Sequence, residues 1–526
     1  VTSTSSNTDL IANPAVVYSS ADVTGSLQFT PLADQHGTST ITVTVEDGGL
    51  DNNLATSADN ATITQTFDVT VNPVNDVPTL AILHPILQIG GDIDGENTDD
   101  FSGNSVSLSA DGSIVAIGAK KNDGNGNNSG HVRVYRNVDG TWTQIGSDID
   151  GEGANDGSGN SVSLSADGST VAIGASSAAG HSSGDAGHVR VYRNIDGTWT
   201  QVGGDIDNTY PGNYFGSSVS LSADGSSVAI GAPSNHNSNG VYSGLVRVYH
   251  NIDSTWTQVG NDIDGENAYD NSGRSVSLST DGSTVAIGAY YNDGNGDRSG
   301  HVRVYRNIDS TWTQIGSDLD GEAENDQSGY SVSLSTDGST VAIGARSNDG
   351  NGAVSGHVRV YRNIDSTWIQ VGSDIDGENA DDLSGGSVSL SADGSTLAIG
   401  AVNNDGNGIK SGHVRIYRNI NGIWTQFATD IDGEQGGLNA SENQGDGSGN
   451  SVSLSADGST VAIGAIYNDG NGIDSGHVRI YQILEHNLTL DEDLLPLGVD
   501  LGGITAGGGE TQPLAITAVS SNTSLL

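Results

Sequence analysis

The residues best suited to chemistry are carboxylates at a fixed spacing. The pattern Asp-x-Asp-Gly-Glu, followed a few residues on by Asp-x-Ser-Gly, occurs at Asp92, Asp94, Glu96 and Asp100, and again at Asp148, Asp150, Glu152 and Asp156. It returns at Asp262, Asp264, Glu266 and Asp270, at Asp318, Asp320, Glu322 and Asp326, and at Asp374, Asp376, Glu378 and Asp382. A sixth copy starts at Asp430, and the remaining one departs from the pattern at Asn208 and lacks its Glu. A second acidic loop, Asn122-Asp123-Gly124-Asn125-Gly126, has counterparts at 292–296, 348–352, 404–408 and 468–472. Hard cations such as calcium take several oxygen ligands, which paired acidic loops can supply. The spacing is not that of an EF-hand, because its Gly comes too early and no Glu closes a twelve-residue loop. Asp-Gly and Asn-Gly are also simply the residues of tight turns, and acidic loops keep a protein soluble.

Other reactive types are scarce or repetitive. The chain has no cysteine, which removes disulfides, thiolate zinc sites and thiol nucleophiles. His131, His188, His301, His357, His413 and His477 recur at one position, with Leu245 replacing them once. A residue so repeated reads as an inter-repeat hydrogen-bonding group rather than a catalyst. The six tryptophans, Trp142, Trp199, Trp256, Trp312, Trp368 and Trp424, read as packing anchors. No Ser-His-Asp order, phosphate loop or zinc-binding histidine pair stands out, and no residue set breaks the repeat to build one asymmetric site.

The elements that position these residues follow from self-similarity. Ser-Val-Ser-Leu-Ser begins at Ser105, Ser161, Ser218, Ser275, Ser331, Ser387 and Ser451. An insertion around Gln435–Gly445 lengthens only the last interval. Each copy has four apolar segments with period-two alternation, in the first Ser105–Ser109, Ile114–Ala119, His131–Tyr135 and Trp142–Ile149. Four strands in each of seven units predict an all-β, seven-bladed β-propeller over 82–485. The seventh copy ends at its third strand, while Leu87-Gln88-Ile89-Gly90 before the first copy matches Thr143-Gln144-Ile145-Gly146. That early stretch is expected to complete the last blade and hide two sheet edges. Alternation suggests one bulky blade face made of Val106, Leu108, Val115, Ile117, Val132 and Val134. The two acidic connections should emerge on one side of the disc, as a crown of carboxylates.

The third copy, Tyr214-Phe215-Gly216-Ser217-Ser218-Val219 and then Gly231-Ala232-Pro233, resembles the FG-GAP repeat of integrin α-subunit propellers and their bacterial relatives. Other copies keep a shortened form, as at Ser158-Gly159 and Gly174-Ala175. The resemblance implies a propeller with a calcium loop between its first two strands. Here that connection is only Ala110–Ser113, so those ligands do not carry over. Residues 1–78 lack the repeat, and their Thr/Val-rich stretches Gly25–Pro31, Thr38–Glu46 and Ala61–Val71 read as part of a β-sandwich. Their ending, Val71-Asn72-Pro73-Val74-Asn75-Asp76-Val77-Pro78, is similar to that of bacterial cadherin-like modules, which implies calcium at Asn75 and Asp76. Residues 487–526 look like the opening of the same module type, since Ile516–Leu526 aligns with Val1–Ile11. With no methionine anywhere, the chain is expected to be a piece of a longer tandem array.

Charge narrows the function. Eighteen basic residues against 65 acidic give −47, which argues against nucleic acid and anionic lipid as partners. The most apolar stretch, Leu80–Leu87, holds His84 and Pro85 and is too short to span a bilayer. The expectation is a non-enzymatic, extracellular or cell-surface adhesion segment with calcium on the acidic face, a protein or glycan ligand there, and neighbouring modules in tandem. The alternatives are a lectin, or a polysaccharide lyase or hydrolase using Glu434, Glu442 and Asp446 of the insertion.

Overall fold

The computed structural model describes residues 1–526 except 20–23, 33–35, 48–53, 55–59, 73–78, 83, 177–185, 209–211, 437–444, 485–500 and 506–526. The chain forms two units, Ile82–Asp500 and Val1–Ala81 with Leu501–Leu526. Asn75 and Asp76 lie outside the described residues, as does Glu442. No helix among the described residues is long and apolar enough to cross a membrane.

In the larger unit each repeat becomes one antiparallel sheet. The first copy orders Ser102–Leu108, Ile114–Ala119, His131–Val138 and Thr141–Gln144 side by side, and the short strand Ile149–Asp150 continues along His131–Val138. A two-residue turn of Asp139 and Gly140, both at positive φ (50° and 82°), joins the third and fourth strands. That geometry matches the twist of a tight hairpin. Seven such five-stranded sheets occur among the described residues. The seventh comprises Ser448–Leu454, Thr460–Ala465 and His477–Ile483, completed by Ile86–Gln88 and Ile93–Asp94 from the other end of the repeat array. Tyr481 faces Gln88 and Ile483 faces Ile86, so the ring of a seven-bladed propeller is closed by strand pairing.

The conserved serines of each copy explain how neighbouring blades join. Ser105 Oγ donates to the Gly159 carbonyl (2.9 Å), and Ser107 Oγ accepts the Leu164 amide (2.9 Å). Ser451 Oγ and Ser453 Oγ do the same to Gly103 and Leu108, across the closing seam. A belt of backbone bonds runs round the other end of these strands. The amide of Ala110 donates to Ala166, Ala166 to Ala223, Ala223 to Thr280, Thr280 to Thr336, Thr336 to Ala392, Ala392 to Ala456, and Ala456 back to Ala110. On the outside, Trp142 Nε1 donates to the Ile89 carbonyl of the preceding blade (2.7 Å), and the other five tryptophans repeat this bond. Ile86 takes the tryptophan position in the closing blade, and there the Phe427 carbonyl accepts the His84 amide instead (2.8 Å).

One expectation about the faces is corrected. Ala116 lies opposite Val134 and Gly118 opposite Val132, so the third-strand valines share the face of the small residues. Arg133 and Tyr135 share the face of Ile117 and Val115. Alternation within a strand leaves the register between strands open, and the connecting loop sets it. The seam core therefore packs Ala116, Val132 and Val134 of one blade against Val162, Leu164, Val171 and Ile173 of the next.

The smaller unit contains a three-stranded sheet in the order Thr2–Ser5, Gly37–Glu46, Thr62–Val71, and a hairpin of Ala15–Val17 with Ser26–Gln28. Leu10, Ile11 and Ile41 form its core. The strand Leu501–Thr505 pairs with Thr79–Ile82.

Close approach at the inner strands requires glycine. A Cβ on Gly344 would collide with the backbone carbonyl of Gly385 in the next blade, whereas one on Gly197 meets nothing within 4 Å. Gly344→Ala should cost about 3 kcal/mol by overpacking. Gly197→Ala, at a φ of 85°, should cost only about 1 kcal/mol of backbone strain. Chemical denaturation of both variants checks the difference.

Candidate metal centre at the blade seams

The Asp-rich links and the acidic loops meet on one side of the propeller, as Asn125 Nδ2 bonds to the carbonyls of Gly151 and Glu152 (2.8 and 3.0 Å). The carboxylates of each link divide into distinct roles. The last Asp of the pattern is buried: Asp100 accepts the Asn97 amide (2.8 Å) and Asn122 Nδ2 (3.0 Å), tying link to loop. Asp270 and Asp382 repeat both bonds. Asp156 accepts the Gly153 amide, and Asp326 those of Glu322 and Ala323. These five hold the loops in place. Asp123 closes its own loop by accepting the Asn128 amide (2.7 Å).

The first Asp and the Glu have a different task. Asp148 is fixed by Gln144 Nε2 (2.6 Å), and Asp92, Asp262, Asp318 and Asp374 by the Gln four residues before each. Glu96 belongs to the link of one blade, while His131 and Asp148 belong to the next. Among the described residues five such groups bring potential ligand atoms within 4.8 Å of one another: Glu96, His131, Asp148; Glu266, His301, Asp318; Glu322, His357, Asp374; Glu378, His413, Asp430; and Asp92, Asp94, His477. The second Asp closes in as well. His357 Nδ1 is 3.8 Å from Glu322, 3.9 Å from Asp374 and 4.0 Å from Asp376, and His301 stands likewise to Glu266, Asp318 and Asp320. These separations are too long for hydrogen bonds. The histidines do sit between blades, but as members of an acidic cluster that residue spacing alone does not reveal. The signal lies in the register, which sets His131 opposite Asp150.

The electrostatics of these groups are strained. Burial pushes His131, His301, His357 and His477 down to about 4 and His413 to about 3, and the adjacent arginines add to the effect. Burial also raises Glu96, Glu266, Glu322, Glu378 and Glu434, against the pull of the same arginines. Asp94, Asp150, Asp264, Asp320 and Asp376 are raised by burial and then by the neighbouring first Asp. Each arginine spends its Nη2 on a backbone carbonyl, as Arg133 does on Asp94 (2.6 Å), and reaches Glu96 only at 3.7 Å. At Glu152, Arg190 Nη1 stands 3.8 Å away. One seam differs. Leu245 stands where the others have His, while Asn208 falls at the Gly of the acidic pattern and Thr209 at its Glu. Arg247 there grips Asp262 with two bonds of 2.8 and 2.9 Å. Glu434 and Asp446, which flank the insertion, take the ordinary roles: Glu434 faces His477 and Arg479, and Asp446 accepts the Glu434 and Gln435 amides.

Residues 263–305, from the link through the third strand of the fourth copy, match the FG-GAP repeat. No curated protein matches the chain. Among solved structures, a putative 6-phosphogluconolactonase from Bacteroides uniformis is similar at 12% identity, with a TM-score of 0.44, covering 74% of this chain and 96% of that one. The periplasmic gluconolactonase PpgL of Pseudomonas aeruginosa is similar at 15% identity, with a TM-score of 0.43, covering 62% and 85%.

The depressed histidines set a pH dependence. The native protein keeps them neutral, while the unfolded chain protonates them below 6.5, so stability present at neutral pH is lost on acidification. The raised carboxylates act in the opposite sense at lower pH. In EDTA, lowering the pH from about 7 to about 5.5 should therefore cost about 1 kcal/mol per buried histidine. His357→Gln should remove one such share, read as a shallower fall of melting temperature with pH.

Proposed function

We propose that the chain is a non-catalytic segment of an extracellular or cell-surface protein. Its integrin-like propeller is a ligand-binding disc, and its cadherin-like flanks are spacers. Calcium occupies the seams of the acidic face and helps engage a protein or glycan ligand there. The observation that carries this reading is the repeated set of one imidazole nitrogen and two carboxylates. In each such set the imidazole nitrogen and two carboxylate oxygens lie within 4.8 Å of one another, and calcium takes carboxylate oxygens at roughly 2.3–2.6 Å. Second carboxylate oxygens and water can complete a calcium shell of six to eight ligands.

The FG-GAP match supports the adhesion reading, as do the absence of cysteine and the acidic surface. Calorimetric titration with calcium should show several sites, and calcium at about a hundredfold its Kd should stabilise the fold by about 2.7 kcal/mol per site relative to EDTA. Glu322→Gln combined with Asp374→Asn should remove one site. An unchanged melting temperature with calcium would exclude the metal, and preference for zinc or manganese would reassign it.

A further inference from the structure

The axis of the propeller departs from the repeat. A cavity of about 480 Å³ on the axis is lined mainly by the serines and valines of the innermost strands. Two ring positions at its mouth vary from copy to copy while the strands beside them hardly change. Just before Ser-Val-Ser-Leu-Ser stand Asn104, Asn160, Ser217, Arg274, Tyr330, Gly386 and Asn450. Just after each second strand, the seven copies carry seven different residues: Lys120, Ser176, Pro233, Tyr290, Arg346, Val402 and Ile466. Both positions lie on the side of the disc that bears the acidic links.

The variation concentrates positive charge. Lys120, Arg274 and Arg346 line the cavity, and among the described residues no Asp or Glu lines it, in a chain with 65 acids and 18 bases. The two arginines gather around tyrosine instead. Arg274 Nη2 donates to Tyr330 Oη (2.6 Å), and the Arg346 and Arg274 guanidinium carbons lie 3.7 and 4.4 Å from the Tyr330 ring centre. Tyr290 packs edge-on to Tyr330 at 5.7 Å. Burial, Lys121 and Arg274 hold the Lys120 ammonium below its ordinary value. Burial would raise the Tyr330 hydroxyl, but Arg274 and Arg346 pull it below its usual range. Uncompensated cations that crowd one another favour an anion placed between them.

We propose that the axial mouth binds the oxyanion of a small acidic saccharide, a carboxylate or sulfate held by Lys120, Arg274 and Arg346, with Tyr330 as a stacking face. Arginine forks suit such planar or tetrahedral oxyanions. The cavity has the size of an ordinary small-molecule site. The surrounding carboxylates repel an extended polyanion and leave room for a single anionic tip. The site stands apart from the seam cations, and loss of calcium binding would leave it intact.

The test is calorimetry in EDTA with glucuronate, glucose 6-sulfate, inorganic sulfate and glucose. Glucuronate, glucose 6-sulfate or both should bind, more weakly as salt rises, and glucose should not. Binding of sulfate alone, as tight as that of the sugars, would reduce the site to an inorganic anion site and overturn the saccharide assignment. Arg346→Gln and Lys120→Gln should each weaken binding roughly tenfold or more. Lys120→Arg should retain it, and Arg136→Gln, an exposed cation on a third strand, should leave it unchanged. No binding by the native chain, equal binding of glucose, or indifference to the axial substitutions in variants that keep the native melting temperature would overturn the proposal.

Discussion

Closure of the ring is the constraint on which everything else rests. A four-stranded sheet buries one face against each neighbour, so no blade has a complete core alone, as the cluster of Ala116, Val132 and Val134 with Val162 and Leu164 shows. The backbone belt from Ala110 round to Ala456 returns to its start only if all seven units are present. The pairing of Ile86–Gln88 with His477–Ile483 removes the last open edge. The axial cavity and the seam clusters both depend on this geometry, because each draws side chains from adjacent blades.

The seams satisfy charge in two ways. Where Leu245 replaces His and the pattern has no Glu, Arg247 turns to Asp262 and forms a bidentate pair. In the other described seams the corresponding arginine bonds a backbone carbonyl and leaves the carboxylates facing a neutral imidazole. One ordinary ion pair among these clusters shows that the fold does not require the clusters. Their repetition is a property of the surface, not of the core.

Much of this architecture is legible in the residues themselves. Seven copies of Ser-Val-Ser-Leu-Ser count the blades, and Leu87 sits in the strand that completes the seventh. The parity of Val132 and Val134 is not legible, because two strands with the same alternation can pair in either phase. The roles of the acidic pattern were also mixed: Asp100 and its equivalents fasten loops, while Asp148 and Glu96 turn toward His131. Identical spacing cannot separate a buried cap from an exposed ligand. The axial cluster is not legible in the sequence, because Lys120, Arg274 and Arg346 are far apart along the chain and only closure of the wheel brings them to one cavity.

The closing strand also determines how the wheel responds to force. The chain enters the last blade at Ile86 and leaves it at Ile483, and these two residues are direct partners at one end of the ladder. Tension applied through both flanks therefore peels the pairs apart one after another, starting with Ile86 and Ile483, instead of shearing the whole ladder at once. The His84 amide on Phe427, the His84 Nδ1 contact with the Leu484 carbonyl (2.8 Å) and the Leu484 amide on Pro85 form the latch that bears this load first. A wheel built this way has one defined weak point under tension, the seam where its two ends pair.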